Sequence, residues 1–320
     1  MFGGSKLIFT KEVDILFGEP QRDLRHTLRS VLSREGYENI RDINQVGEFQ
    51  DVLEQELPDL LIMDASMGGG KSPTEMVREM RHGVFGKNPY IPIIFTIWEP
   101  TKQIVSAVAA SGADDLLVKP LSPVAMLDRI KTLAMNRKNF VVASDYIGPD
   151  RRTKRHVDIG QEEIPTFKVP NTLKMKSLGQ AVNVASLEAE INKTKGRINN
   201  LKLERNAFQM AFLVELIVPA LRGAGAVAQL QQNLEALFIM AKDTSMRLNG
   251  SAYDHVADLC SSMITVTSAL VDQGAGHAEK DVKLLKPLSE AILLACHPES
   301  DSITLAGKIT GAINRFHTKE

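Results

Sequence analysis

Apolar residues between positions 15 and 133 follow two alternating patterns. Short runs, Ile15-Leu16-Phe17, Leu60-Leu61-Ile62-Met63, Ile91 to Phe95 and Leu116-Leu117-Val118, have the length of strands, several of them apolar enough to be buried on both faces, and Ile40 to Ile43, apolar at its two ends, reads as the second strand in the series. Between them apolar residues recur at helical spacing: Leu24, Leu28, Val31 and Leu32 after Pro20; Phe49, Val52 and Leu53; Met76, Val77 and Met80; Ile104, Val108 and Ala109; Val124, Leu127, Ile130 and Leu133. Five strands alternating with helices predict repeated βαβ units, hence an α/β doubly wound parallel five-stranded sheet.

From Ser186 the period changes. Leu187, Ile191, Thr194, Ile198, Leu201, Arg205, Phe208 and Phe212 are spaced alternately four and three apart, a heptad stripe. A second stripe, Leu203, Ala207, Met210, Val214 and Ile217, joins it and widens the apolar face beyond a two-stranded seam. The pattern predicts an arm that enters a bundle, closed by Pro219 and by Gly223 to Gly225. Further helices are predicted at 227–248, 252–271, 280–294 and 302–316, joined by loops at 249–251 and 273–277. Residues 137–185 read as a basic, proline-containing linker, pinned by Phe140, Val141, Val142 and Tyr146. The expected organisation is 12–136 as the α/β domain, 137–185 as the linker and 186–320 as an all-α helical arm and bundle.

Composition narrows the function classes. At 320 residues with 43% hydrophobic positions the chain can build two cores. A formal net charge of −1 gives no general pull toward nucleic acid or an anionic membrane. Two cysteines, Cys260 and Cys296, exclude a disulfide framework and suit a reducing compartment. No run approaches a membrane span, and Leu7-Ile8-Phe9 is too short for a signal-peptide core. The expectation is a soluble, cytoplasmic protein without a nucleic-acid partner.

The chemistry gathers at strand ends. The first run ends in Glu19, the third in Asp64, the fourth in Thr96 and the fifth in Lys119. In an open parallel sheet the carboxyl ends of the strands meet at one edge, where such folds keep their ligands. Two carboxylates there supply hard oxygens for Mg²⁺, a lysine pairs with a phosphoryl oxygen, and a hydroxyl donates to another. In order and spacing the four positions resemble the CheY-like receiver domain of bacterial response regulators, over about residues 12 to 136.

That resemblance implies phosphorylation at Asp64, switching through Thr96, charge pairing by Lys119, and a Mg²⁺ site of Glu19, Asp64 and Ser66. It also implies a sensor histidine kinase or phosphotransfer protein as donor, an output through protein contacts, a homo-oligomer, and a signalling role rather than an enzymatic one. The run from Phe140 to Arg152, with Asn88-Pro89 and Thr96-Ile97-Trp98-Glu99-Pro100, resembles a subgroup of alphaproteobacterial receiver proteins with a helical tail. Two departures stand out. Glu19-Pro20 replaces the usual pair of acids, which lowers the expected Mg²⁺ affinity, and Leu116 stands where an aromatic switch residue is common. The alternative is therefore a pseudo-receiver scaffold, not phosphorylated, that docks partners or oligomerises.

Two further motifs point to other chemistry. Ala65 to Ser72 nearly spells a phosphate-cradling P-loop, but Pro73 removes an N–H from the helix start and Asp64 would oppose a bound anion. His255 invites a phosphotransfer role, yet Asp258 follows one helical turn later and would repel a phosphohistidine.

Overall fold

A computed structural model describes residues 9–143, 145–152, 165–223, 229–248, 251, 253–273, 279–297 and 301–317. Of the predicted loops, residues 249–250 and 274–277 lie outside the described residues, as does the basic stretch 153–156. Two compact units divide inside one long helix, between Lys195 and Gly196.

The first unit contains the predicted sheet. Strands β1 (Asp14–Gly18), β2 (Asn39–Ile43), β3 (Leu60–Asp64), β4 (Ile93–Ile97) and β5 (Asp115–Val118) are all parallel, in the order β2-β1-β3-β4-β5. They alternate with α1 (Arg22–Arg34), α2 (Val46–Gln55), α3 (Pro73–Arg81), α4 (Lys102–Ala110) and α5 (Pro123–Met135). Because side chains alternate along a strand, β1 and β3 feed two cores. Ile15, Phe17, Leu60 and Ile62 pack with Leu28 and Leu32 of α1 and with Met126 and Ile130 of α5. Leu16, Leu61 and Met63 pack on the other face with Phe49 of α2 and with Met76 and Met80 of α3. Every residue of β3 and β4 is buried, as a doubly covered parallel sheet requires.

Helix starts follow local chemistry. Ser72 and Ser122 cap α3 and α5, accepting from the N–H groups of Glu75 and Ala125, with Pro73 and Pro123 in first-turn positions that need no donor. Pro20 lies outside α1, one residue before the Gln21 N-cap. The reason is at the site: the Gln21 N–H is directed to the Glu19 carboxylate, 3.0 Å away.

The stretch expected as linker contains ordered structure. Strands β6 (Phe140–Val142) and β7 (Ile147–Pro149) form an antiparallel hairpin, and Phe167 bonds back to Phe140 through both backbone groups. Gly112 makes room for it: at φ +85° and with the Ile147 carbonyl 2.3 Å from where a Cβ would stand, no larger residue fits. A six-residue helix, α6 (Thr172–Ser177), then packs on α5, with Leu173 buried in the first core.

Helix α7 (Val184–Leu221) is continuous. Of the heptad stripe, Leu187, Ile191 and Ile198 are buried within a single chain, while Leu201, Phe208 and Phe212 are half-buried. Full burial passes to the second stripe, Leu203, Ala207, Met210, Val214 and Ile217. These residues share a core with α8 (Leu230–Leu248), α9 (Ala257–Gln273), α10 (Glu279–Cys296) and α11 (Ser302–His317), the all-helical second unit. No described helix is long and apolar enough to cross a membrane.

Candidate functional site

The topology brings β1 and β3 side by side where the strand order reverses, so the residues leaving their carboxyl ends face one crevice. Register does the rest. Asp64 pairs with Thr96 across β3 and β4, and Thr96 with Leu117, two residues short of Lys119. Gly18 tightens the approach before Glu19: a Cβ there would stand 2.4 Å from the Met67 sulfur.

All four predicted side chains meet. The Lys119 ammonium donates to both Glu19 Oε2 and Asp64 Oδ2, and the three side chains are at most 1% exposed. Asp64 Oδ1 accepts from the Ser66 N–H at 2.7 Å and from the Ser66 hydroxyl. The Thr96 hydroxyl reaches Asp64 Oδ2 at 3.3 Å, long for such a bond and so weakly committed. Arg25 anchors the turn from below by donating to the Glu19 carbonyl at 2.9 Å.

Two carboxylates and one ammonium leave a formal charge of −1 in a nearly dry site. A buried pair of unlike charges offsets desolvation only with good hydrogen bonds around it, and here every carboxylate oxygen has at least one donor. The surplus acid is what a hard cation would use. Among the described residues no group of three or more His, Cys, Asp or Glu converges to hold a metal. Two carboxylates nevertheless suit Mg²⁺, which usually binds through one or two of them and keeps water or substrate oxygens for the rest.

Two features escaped the sequence reading. The Lys119 Nζ lies over the Trp98 ring, 5.3 Å from its centroid, a cation–π contact. At the opposite end of the sheet, Arg81 and Arg137 both pair with Asp114 and flank the Phe140 ring. The P-loop lookalike is engaged elsewhere: Lys71 is half-exposed and paired with Glu79 at 2.5 and 2.7 Å. His255 is exposed in a short 3-10 turn before α9, between Asp254 and Asp258.

Residues 15–131 match the family described as the response regulator receiver domain. Residues 15–131 thus form a CheY-like receiver domain of the kind found in bacterial two-component response regulators. The transcriptional regulatory protein YvrH of Bacillus subtilis is 28% identical over 123 residues, covering 38% of this chain and 48% of that protein. The phosphate regulon transcriptional regulatory protein PhoB of Rhizobium meliloti is 31% identical over 126 residues, covering 39% and 54%. This chain therefore spans about half the length of these curated relatives. The chemotaxis response regulator CheY4 of Vibrio cholerae is similar at 21% identity and a TM-score of 0.34, covering 38% of this chain and 98% of that one. Receiver domains as a class bind Mg²⁺ beside the phosphorylated residue.

Proposed function

We propose that this protein is a cytoplasmic response regulator that takes a phosphoryl group on Asp64 from a sensor histidine kinase or a phosphotransfer protein. The observation that carries the reading is the meeting of Glu19, Asp64, Thr96 and Lys119 at one sheet edge. In the transfer an Asp64 carboxylate oxygen bonds to phosphorus while the bond from phosphorus to the donor breaks, its electron pair leaving with the donor. Lys119, already on Asp64, then pairs with a phosphoryl oxygen, and the loosely held Thr96 hydroxyl turns toward another. Glu19, Asp64 and Ser66 would hold Mg²⁺, which neutralises charge between the two approaching anions.

The added charge biases two packings of the receiver, and the helical region passes the change on by protein contact and by altered self-association. Domain limits near 12–136, 137–185 and 186–320 go with this reading as working boundaries. The test is oligomeric mass by light scattering, with and without acetyl phosphate and Mg²⁺. A phosphodonor-dependent change in the wild type, absent in Asp64→Asn, is expected; an unchanged mass in both contradicts it.

One observation favours a second reading. With Glu19-Pro20 in place of two acids, and with Lys119 already spanning the remaining pair, the domain has a resident counter-cation of its own. A pseudo-receiver scaffold would keep that arrangement permanently and show no response to the donor.

A further inference from the structure

The chain has a single tryptophan, and its ring lies over the ammonium of the site. Trp98 follows β4 directly, two residues beyond Thr96. It is 46% exposed, whereas the Lys119 side chain beneath it has no solvent exposure. The ring therefore stands at the boundary between a buried cation and solvent. Lys119 is held by three neighbours of different kinds: the Glu19 carboxylate, the Asp64 carboxylate and the π face of Trp98. Its position is a balance among them, and a change of charge at Asp64 shifts that balance. Turning that carboxylate into an acyl phosphate adds about one unit of negative charge and carries it farther from the Asp64 backbone. The ammonium follows the new charge, and its contact with the ring weakens. On β5, three positions before Lys119, the half-buried Leu116 has no ring with which to register this movement.

We propose that Trp98 is the aromatic sensor of the site: its ring covers Lys119 while Asp64 carries its own charge alone, and releases it when that charge changes. The state of Asp64 is then read at the segment from Trp98 to Thr101, which leads directly into α4 through the Thr101 cap. This deepens the phosphoryl-acceptor reading and rests on it for its biological use. The coupling of Trp98 to Asp64 through Lys119 does not need phosphorylation in order to be tested.

The experiment is intrinsic fluorescence of the full chain, as emission maximum and acrylamide quenching, with intact mass recorded on the same samples. On phosphorylation by acetyl phosphate and Mg²⁺, compared with Mg²⁺ alone, the ratio of covered to open ring should fall at least about two-fold, the change that the weakest cation–π contact corresponds to. Asp64→Asn without any donor should also shift the emission, because Lys119 is left to Glu19. Lys119→Met should start in the open state and ignore the donor. Phosphate incorporation in the wild type with no change in Trp98 emission or quenching overturns the inference. Where the wild type gains no phosphate, the phosphoryl-acceptor reading fails, and the comparison with Asp64→Asn decides for Trp98: identical spectra overturn the coupling, distinct spectra support it.

Discussion

The receiver unit buries a charged triad at each end of its sheet, and the two are built to opposite rules. At the carboxyl end two acids share one base, Glu19 and Asp64 on Lys119. At the amino end two bases share one acid, Arg81 and Arg137 on Asp114. The basal triad is saturated. Arg81 donates to the carbonyls of Gly112 and Pro89, Arg137 to that of Tyr90, and Asp114 also accepts from the Ile93 N–H. Burial pulls the Arg81 pKa down to about 10, with Asp114 opposing that pull. The distal triad is less committed: its surplus is a carboxylate, its Thr96 bond is long, and its cation is covered on one side by a half-exposed ring. One end is a fastening for the β6–β7 hairpin, and the other keeps a surplus carboxylate, where the proposed function adds charge.

The sharpest way to break that comparison is to make the same substitution at both ends. Asp114→Asn leaves two buried guanidinium groups without a carboxylate and should cost about 3–5 kcal/mol in urea unfolding. A loss below about 1 kcal/mol would show that the basal triad is not a fastening. Next in size is Lys176→Met. Lys176 donates to the fully buried Asp59, tying α6 to the start of β3, and its removal strands a carboxylate at a cost of about 1–3 kcal/mol. Asp64→Asn should change stability by no more than about 1 kcal/mol, since one acid and one base remain in balance. A loss as large as that of Asp114→Asn would erase the distinction between the two ends. Smallest is Lys71→Ala, which removes a surface pair worth about 0–1 kcal/mol and should leave phosphate incorporation intact. Loss of incorporation in that variant would return the P-loop lookalike to consideration.

The contrast also explains what could be read from the sequence. The distal site was legible because its residues are tied to strand ends, and strand ends are marked by the end of an apolar run: Met63 then Asp64, Val118 then Lys119. The basal triad carries no such mark. Its guanidinium groups are satisfied largely by backbone carbonyls, which have no residue code, and Arg137 looked like one more charge in a basic linker. Helix α6 is too short to show a period, and only burial of Leu173 reveals what it does. Along α7 the heptad spacing was plain, but spacing does not say which surface covers it, and Leu187, Ile191 and Ile198 are covered without a second chain. Trp98 stands past the end of its apolar run, two residues beyond Thr96, and no pattern says that its ring lies over Lys119.

On the proposed reading Asp64, and not another oxygen of this charged crevice, accepts the phosphoryl group. Intact mass and peptide mapping after incubation with acetyl phosphate and Mg²⁺ test it directly. The account predicts one added phosphoryl group in the wild type, lying in the peptide that contains Asp64, and none in Asp64→Asn. Absence of the group from the wild type, or its presence in both proteins, would contradict it.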